Sequence, residues 1–388
     1  MRLSIKPTIS LIGMTIFLLL IVSFFSSCKK EQVSDPSQVQ VLYTMQEETM
    51  PHEGTWLQWP HQYQFGIQYR NELDPTWVAM TAALVTGENV HIIAYDQNEK
   101  DRITALLNNA AVPLTNVDFS IYPTDDVWVR DNGPIFVKDT NGNIAIQDWG
   151  FNGWGQKTDF FSGQPLQYAN CDAVPSQIAD DRAITLIDLN STMINEGGSV
   201  VMDGNGTLMA CKSSILNSNR NPGMTQEEAE AIFKENLGAT HFIWLDGQAG
   251  LDITDQHIDG FAVFGNDSTI VTMDQVDLRD YDVLQTDIDK LYAASNKDGV
   301  PYNLVFVPLT QNNVRKTDGT NLGYKGSYIN YIVSNDKVLV PNYNDPNDAN
   351  ANAIIQTIYP NRTVVGIDVR NLYESGGMVH CVTQQQPQ

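Results

Sequence analysis

"SVVMDGNGTLMA", residues 199–210, reads as two short apolar strands around an Asp-Gly-Asn-Gly turn. Gly, Asn and Asp tolerate the backbone conformations that a tight hairpin demands, so this pattern signals an antiparallel pair. The same make-up recurs in "IFVKDTNGNIAI" (135–146), "FAVFGNDSTIVT" (261–272) and "INYIVSNDKVLV" (329–340). The four turns centre near residues 141, 205, 266 and 335, at intervals of 64, 61 and 69 residues. Such even spacing is the mark of a structural repeat.

The segments between the hairpins repeat as well. After the second comes "TQEEAEAIFKENLG" (225–238), in which Thr225 is an N-cap, Glu228 completes a capping box and Gly238 stops the helix; the strand "HFIWL" (241–245) comes next. The third is followed by "TDIDKLYAAS" and "NLVFVP", and the fourth by "DPNDANANAIIQTIYP" and "TVVGIDV". The segment after the first hairpin is rich in Gly, Asn and Asp, and its helix is not evident. A fifth unit is incomplete at either end. It becomes whole if "MVHCVT" (378–383) pairs with "GTWLQWP" (54–60), with "TWVAMTAALV", "VHIIAYD", the helical "NEKDRITALLNNA" and "VDFSIYP" as its other pieces. The expectation is an α/β fold, a five-bladed α/β propeller of ββαβ units with pseudo-fivefold symmetry. Two ordinary α/β domains fit the length but leave the spacing unexplained.

Chemically active residues precede the hairpins: Asp131 in "DVWVRDNGP", Glu196 in "INEGGS", His257 and Asp259 in "TDQHIDG", and Cys381 in "GGMVHCV". Taken singly, each has an ordinary reading. Asp131 can pair with Arg130, Glu196 can cap a turn, His257 can sit satisfied in a core, and Cys381 can be a small buried hydrophobe. Their shared phase in the repeat argues for convergence on the axis. "MVHCVT" reads as a strand, so His380 and Cys381 are expected to face apart, whereas His257 and Asp259, two apart, share a strand face. Carboxylates gathered in one site repel unless a cation lies between them, and a planar guanidinium offers forked donors to two at once. A thiol suits attack on its central carbon. No CxxC and no zinc-type Cys/His spacing occurs, so no metal is expected.

The chain of 388 residues opens with Arg2 and Lys6 and the apolar run 11–25, ahead of "SSCKK". That run is short for a membrane span of about 20 residues and reads as an export signal. The small residues before Cys28 resemble a bacterial lipobox, although Phe25 departs from its commonest pattern. The expected layout is a lipoprotein signal peptide at 1–27, a tether at 28–44 lipidated on Cys28, and one catalytic domain at 45–388. A plain secretory signal or a short anchor is the other reading. Removal of residues 1–27 takes away Arg2 and Lys6 but no acid, which moves the formal charge from −23 to −25. So acidic a protein repels nucleic acid and anionic membrane surfaces and attracts cations; its membrane contact is expected through the lipid alone. Cys171, Cys211 and Cys381 then remain in an oxidising compartment, an odd number. A Cys171–Cys211 bridge is one arrangement that leaves Cys381 free.

"MPHEGTWLQWPH", "WVRDNGPIFV", "NEGGSVVMDGNGT", "LNSNRNP", "TDQHIDGFA", "DPNDANA" and "GGMVHCVTQQQP" together resemble the agmatine deiminase and bacterial peptidylarginine deiminase family, of the pentein fold, over about residues 45–388. The resemblance implies a fivefold α/β propeller without metal or organic cofactor. It implies Cys381 as nucleophile, His257 as acid/base, Asp131 and Asp259 as the guanidinium clamp, and Glu196 as the residue that orients His257. Trp128 would wall the substrate channel and Asn330 would join the binding site. "DWGFNGWGQKTDFF" offers Lys157 and no arginine for a substrate carboxylate, which favours agmatine. The export signal, and Gln256 and Gly260 where "TDGHIDN" is expected, favour arginine in peptides. A lipoprotein that binds guanidino or polyamine ligands without turnover is a third reading, and oligomeric state stays open. "LNSNRNPGMT" (216–225) is a candidate gating loop.

Overall fold

Each hairpin turn is closed by the side chain that opens it. Asp203 Oδ1 accepts from the amides of Asn205 and Thr207, both at 2.8 Å, and Asp139 Oδ1 does the same for Asn141 and Asn143. Asn266 Oδ1 accepts from Ser268 N at 3.0 Å in the third. Short polar side chains satisfy the turn's own amides, and left-handed glycines such as Gly142 and Gly204 complete the reversal.

The computed structural model describes residues 40–158 and 163–388. The signal, Cys28 and most of the tether inferred from the sequence lie outside the described residues. All described residues fall within one compact unit, and none of their helices is long and apolar enough to cross a membrane.

The strands form five sheets. In the second blade Val200–Met202 runs antiparallel to Thr207–Cys211, which pairs in parallel with His241–Leu245. The third repeats this with Ala262–Asn266, Thr269–Thr272 and Asn303–Phe306, and the fourth with Ile332–Val333, Lys337–Asn342 and Thr363–Asp368. The first adds an edge strand, Tyr43–Met45, to Ile135–Asp139, Ile144–Gly150 and Thr185–Ile194. Its helix, obscure in the sequence, is Val174–Arg182, with Pro175 in the first turn. The helix Gln226–Leu237 carries the expected capping box, and Gly238 ends it at φ 78°. "TWVAMTAALV" forms the end of the helix Gln62–Leu84, with Val85 as its C-cap.

The termini close the ring, but through the residues that directly follow the segment the sequence suggested. Gln384–Pro387, not 378–383, pairs antiparallel with His52–Gln58, setting Gln384 opposite Trp56. His52–Gln58 then pairs in parallel with Asn89–Ala94, and that strand with Val117–Ile121. Cys171 and Cys211 are free and buried, so the bridge does not form.

Trp56 joins the two ends. It is fully buried, its Nε1 donates to Gln386 Oε1 at 2.9 Å, and the Arg182 guanidinium lies over its ring. Trp56→Ala is expected to lower stability by about 3–5 kcal/mol, the usual loss for a buried large aromatic. Urea unfolding measures this, and a loss below about 1 kcal/mol would show that the closure does not lean on this side chain.

Candidate active site

The chemically active residues sit just before the first strand of each blade, where the chain turns at the axis. Asp131 lies in the short helix Val129–Asn132 and Glu196 immediately before the turn Gly197–Ser199. His257 and Asp259 flank Ile258 at the turn Ile258–Gly260, and Cys381 is in the turn His380–Val382. Asn330 supplies the fourth blade's member of the set, two residues before Ile332–Val333. Neither expected strand placement holds: both segments are 3₁₀ turns, because the backbone must reverse at the axis before it enters the sheet. Residues one apart on such a turn are rotated by roughly 120°. His380 and Cys381 therefore diverge as expected, and for a different reason.

Gly198 marks the point of convergence. A Cβ there would come within 2.7 Å of Asp131 Oδ1, 2.7 Å of His257 Nδ1 and 3.0 Å of Asp259 Oδ2. Only a bare backbone leaves these three groups their place, and Gly198 N donates to Asp131 Oδ1 at 3.1 Å. Gly377 acts likewise for the wall: a Cβ there would lie 2.1 Å from the Trp128 ring.

His257 Nε2 lies 3.0 Å from Glu196 Oε2 and Nδ1 lies 3.5 Å from Asp131 Oδ1. Burial alone would depress its pKa, but Asp131, the hydrogen bond to Glu196 and Asp259 outweigh burial and lift it to about 9. The ring therefore holds its proton at neutral pH. Asp131 moves up to about 6, first through burial and then through Asp259 and Glu196, against the pull of His257; Trp154 Nε1 donates to its Oδ2 at 2.9 Å. Its partner is not Arg130, whose guanidinium instead meets Glu48.

Glu196 is fully buried and would be raised by that burial, but Arg220 and His257 hold it below the usual range. Arg220 Nε donates to Glu196 Oε1 at 2.8 Å, Nη2 to Thr254 O at 3.1 Å, and Nη1 to Asp255 Oδ2. Arg220 belongs to the segment read as a gate. Its buried ion pairs instead bind that segment to the site wall, since separating them would strand desolvated charges. Asp255 also takes Lys157 Nζ at 2.7 Å.

Cys381 is partly buried, and its Sγ lies 3.3 Å from Asn330 Oδ1. Burial, then Asp259 and Asp131, push its thiol well above the ordinary range. The free site thus keeps a neutral thiol, and a cation seated between the aspartates would reverse that field. Asp259 Oδ2 accepts from His380 Nδ1 at 2.7 Å. A pocket of about 420 Å³ opens above these groups, lined by Cys381, His257, Asp131, Asp259, Trp128 and Asn330 among others. The five converging blades thus bring together all seven residues singled out for chemistry or binding.

Sequence reasoning missed Glu48, Arg220 and Trp154, and assigned no role in the site to His380. Glu48 follows Glu47 and looks like part of a solvated acidic run, while Arg220 stood inside a quoted motif without an evident charge partner. Gln256 has φ 71°, in the left-handed region that favours glycine, which accounts for the Gly expected there. At Gly260 a side chain would meet the Tyr281 hydroxyl at 3.2 Å.

The sequence model of the Porphyromonas-type peptidyl-arginine deiminase family matches residues 44–387. The chain is 30% identical to an agmatine deiminase of Pseudomonas aeruginosa over 364 residues, covering 89% of this chain and 95% of the relative. Identity to an agmatine deiminase of Ectopseudomonas mendocina is 31% over 367 residues, with the same coverages. Its fold superposes on the solved agmatine deiminase of Enterococcus faecalis with a TM-score of 0.76 at 25% identity, covering 89% of this chain and 96% of that one.

The field at Cys381 makes a prediction that runs against intuition. Iodoacetamide should alkylate the free protein slowly at pH 7 and faster as the pH rises through the elevated thiol pKa. Asp259→Asn should speed alkylation at pH 7 while weakening guanidinium binding. Mass spectrometry of the Cys381 peptide follows the rate; an Asp259→Asn rate no higher than wild type would mean that this carboxylate does not govern the thiol.

Proposed function

The chain belongs to the Porphyromonas-type peptidyl-arginine deiminase family, and we propose that it is a hydrolase that converts agmatine to N-carbamoylputrescine and ammonia. The observation that carries the choice of substrate is the charge of the pocket. Asp252, Asp280, Asp282 and Glu374 line it beyond the catalytic groups, and Lys325, the one lysine or arginine among its described lining residues, is held by Asp280 at 2.9 Å. Lys157, the nearby cation with which the sequence could have met a carboxylate, is held by Asp255. Such a site suits a substrate with a cation at both ends and offers nothing free to an α-carboxylate.

In this reading Asp131 and Asp259 grip the guanidinium and its charge draws the Cys381 proton away to solvent. The thiolate adds to the central carbon, forming a C–S bond and a neutral tetrahedral adduct. His257, protonated in the free site, passes its proton to the departing nitrogen; the C–N bond breaks, ammonia leaves and an S-alkylthiouronium remains. The neutral imidazole, oriented by Glu196, then takes a proton from water as its oxygen adds to the same carbon. Collapse breaks the C–S bond and returns the thiolate, and the last hydroxyl proton goes to solvent, where ammonia becomes ammonium. Trp128 and Asn330 position the substrate without taking part in proton transfer.

The second reading, arginine in peptides, draws on the exposed apolar rim of Leu251, Ile253 and Tyr324 at the same pocket. Agmatine, free arginine and peptides with internal or C-terminal arginine, assayed for ammonia and ureido product, separate the two. Agmatine is expected to lead in kcat/KM by at least about 100-fold, the scale set by unpaired buried charge. Cys381→Ala should abolish turnover, and full activity in that variant would end the scheme. Tight guanidino-ligand binding without product would instead mark a binding protein.

We also propose export and anchoring to the membrane through a lipid on Cys28; support for it is the leader sequence alone. The intact mass of the mature N-terminus tests it, and an unmodified chain that retains residues 1–27 would refute it.

A further inference from the structure

His380 stands next to the nucleophile in sequence, yet it does not line the substrate pocket. Its two ring nitrogens are both taken by carboxylates: Nδ1 by Asp259 Oδ2 and Nε2 by Glu48 Oε1, each at 2.7 Å. The arrangement copies the one in front of it. Glu196 holds His257 at 3.0 Å, and the other nitrogen of His257 faces Asp131 at 3.5 Å. The front relay ends on one clamp carboxylate and the rear relay on the other. An imidazole between two carboxylates must donate from both nitrogens, so it is held as the imidazolium and its ring plane is set by two short contacts. Asp259 Oδ2 is thereby fixed, and Oδ1 has no hydrogen-bond partner among the described residues.

Glu48 is itself pinned from several blades. Arg130 Nη2 donates to its Oε1 at 3.2 Å and Val333 N to its Oε2 at 3.4 Å. Burial would raise its pKa, but His380 and Arg130 bring it down to about 2. The backbone that carries it is tied in on both sides, by the pairing of Tyr43–Met45 with 137–139 and by Arg362 Nη2 on Thr49 O at 2.6 Å. Behind His380 remains a void of only about 40 Å³, lined in part by Glu48, Arg130 and Tyr331.

We propose that Glu48 is a positioning residue for the reaction: through His380 it aims the Asp259 carboxylate at the substrate guanidinium, so that the segment joining the tether to the ring forms the rear wall of the site. This rests on the guanidinium reading of the pocket. The relay gives the N-terminal segment a role beyond that of an edge strand, because a group outside the pocket sets the geometry of a group inside it.

The test is a double-mutant cycle over Glu48→Gln and Asp259→Asn, with KM and kcat for agmatine in the active enzyme and agmatine affinity by calorimetry on a Cys381→Ala background. Glu48→Gln should raise both KM and Kd by about tenfold while kcat falls less, and the double variant should be no worse than Asp259→Asn alone. Wild-type values in Glu48→Gln, or a double variant whose loss is the product of the single losses, would overturn the proposal. A merely structural role would lower Tm and the yield of active protein and leave Kd unchanged. His380→Gln removes the middle of the relay and decides the question if Glu48→Gln does not fold. A wild type that binds agmatine without turning it over would overturn the proposed reaction, and the calorimetric cycle would still decide the relay.

Discussion

Three buried carboxylates, Asp131, Glu196 and Asp259, and the partly buried Glu48 are packed around one axis, and their mutual repulsion is the constraint the rest of the centre answers. Burying even one unpaired carboxylate is costly, and four together fold only if cations are interleaved. Arg220 meets Glu196, Arg130 meets Glu48, His257 lies between Glu196 and Asp131, and His380 lies between Glu48 and Asp259. Asp131 is left short of positive charge: burial first, and then Asp259 and Glu196, lift its pKa to about 6. The deficit faces the pocket. A site short of positive charge on its open side is a site built to take a cation.

The ring explains why the balance can be so finely set. Each blade brings its polar residues to the axis on a short turn, and neighbouring blades contribute groups of opposite sign within hydrogen-bond reach. The contacts at the centre span long stretches of sequence: His380 to Asp259, Cys381 to Asn330, His257 to Glu196. Closing the fifth sheet with strands from both ends of the chain brings Cys381 to the axis beside residues of the other four blades. Glu48 reaches the same place from the other terminus. Ring closure and assembly of the site are therefore one event, and the Trp56–Gln386 contact serves both.

The blades themselves were legible along the chain. Hairpins declared themselves through Asp139, Asp203 and Asn266, whose side chains close their own turns, and the helix after the second hairpin through Thr225, Glu228 and Gly238. These are local interactions, so local pattern carries them. Two strand readings at the axis failed for the complementary reason. "MVHCVT" and "TDQHIDG" have strand-like composition or spacing, but their conformation is set by the need to turn into the centre, which no neighbour in sequence reveals. The edge pairing falls on Gln384–Pro387 because the expected segment, 378–383, is taken up by the turn His380–Val382 and the residues flanking it.

The sequence by itself determined the repeat, the phase at which the reactive residues occur, and the residue types at that phase: a thiol, an imidazole and three carboxylates. Each of these is a property of side chains and spacing. Only the tertiary structure decided which charges neutralise which. Arg220 in a supposed gate, Glu48 in an apparent acidic run and Lys157 in a glycine-rich stretch acquire partners only when separate segments meet. Coulomb energy depends on distance in space, and that distance exists only once the ring is closed.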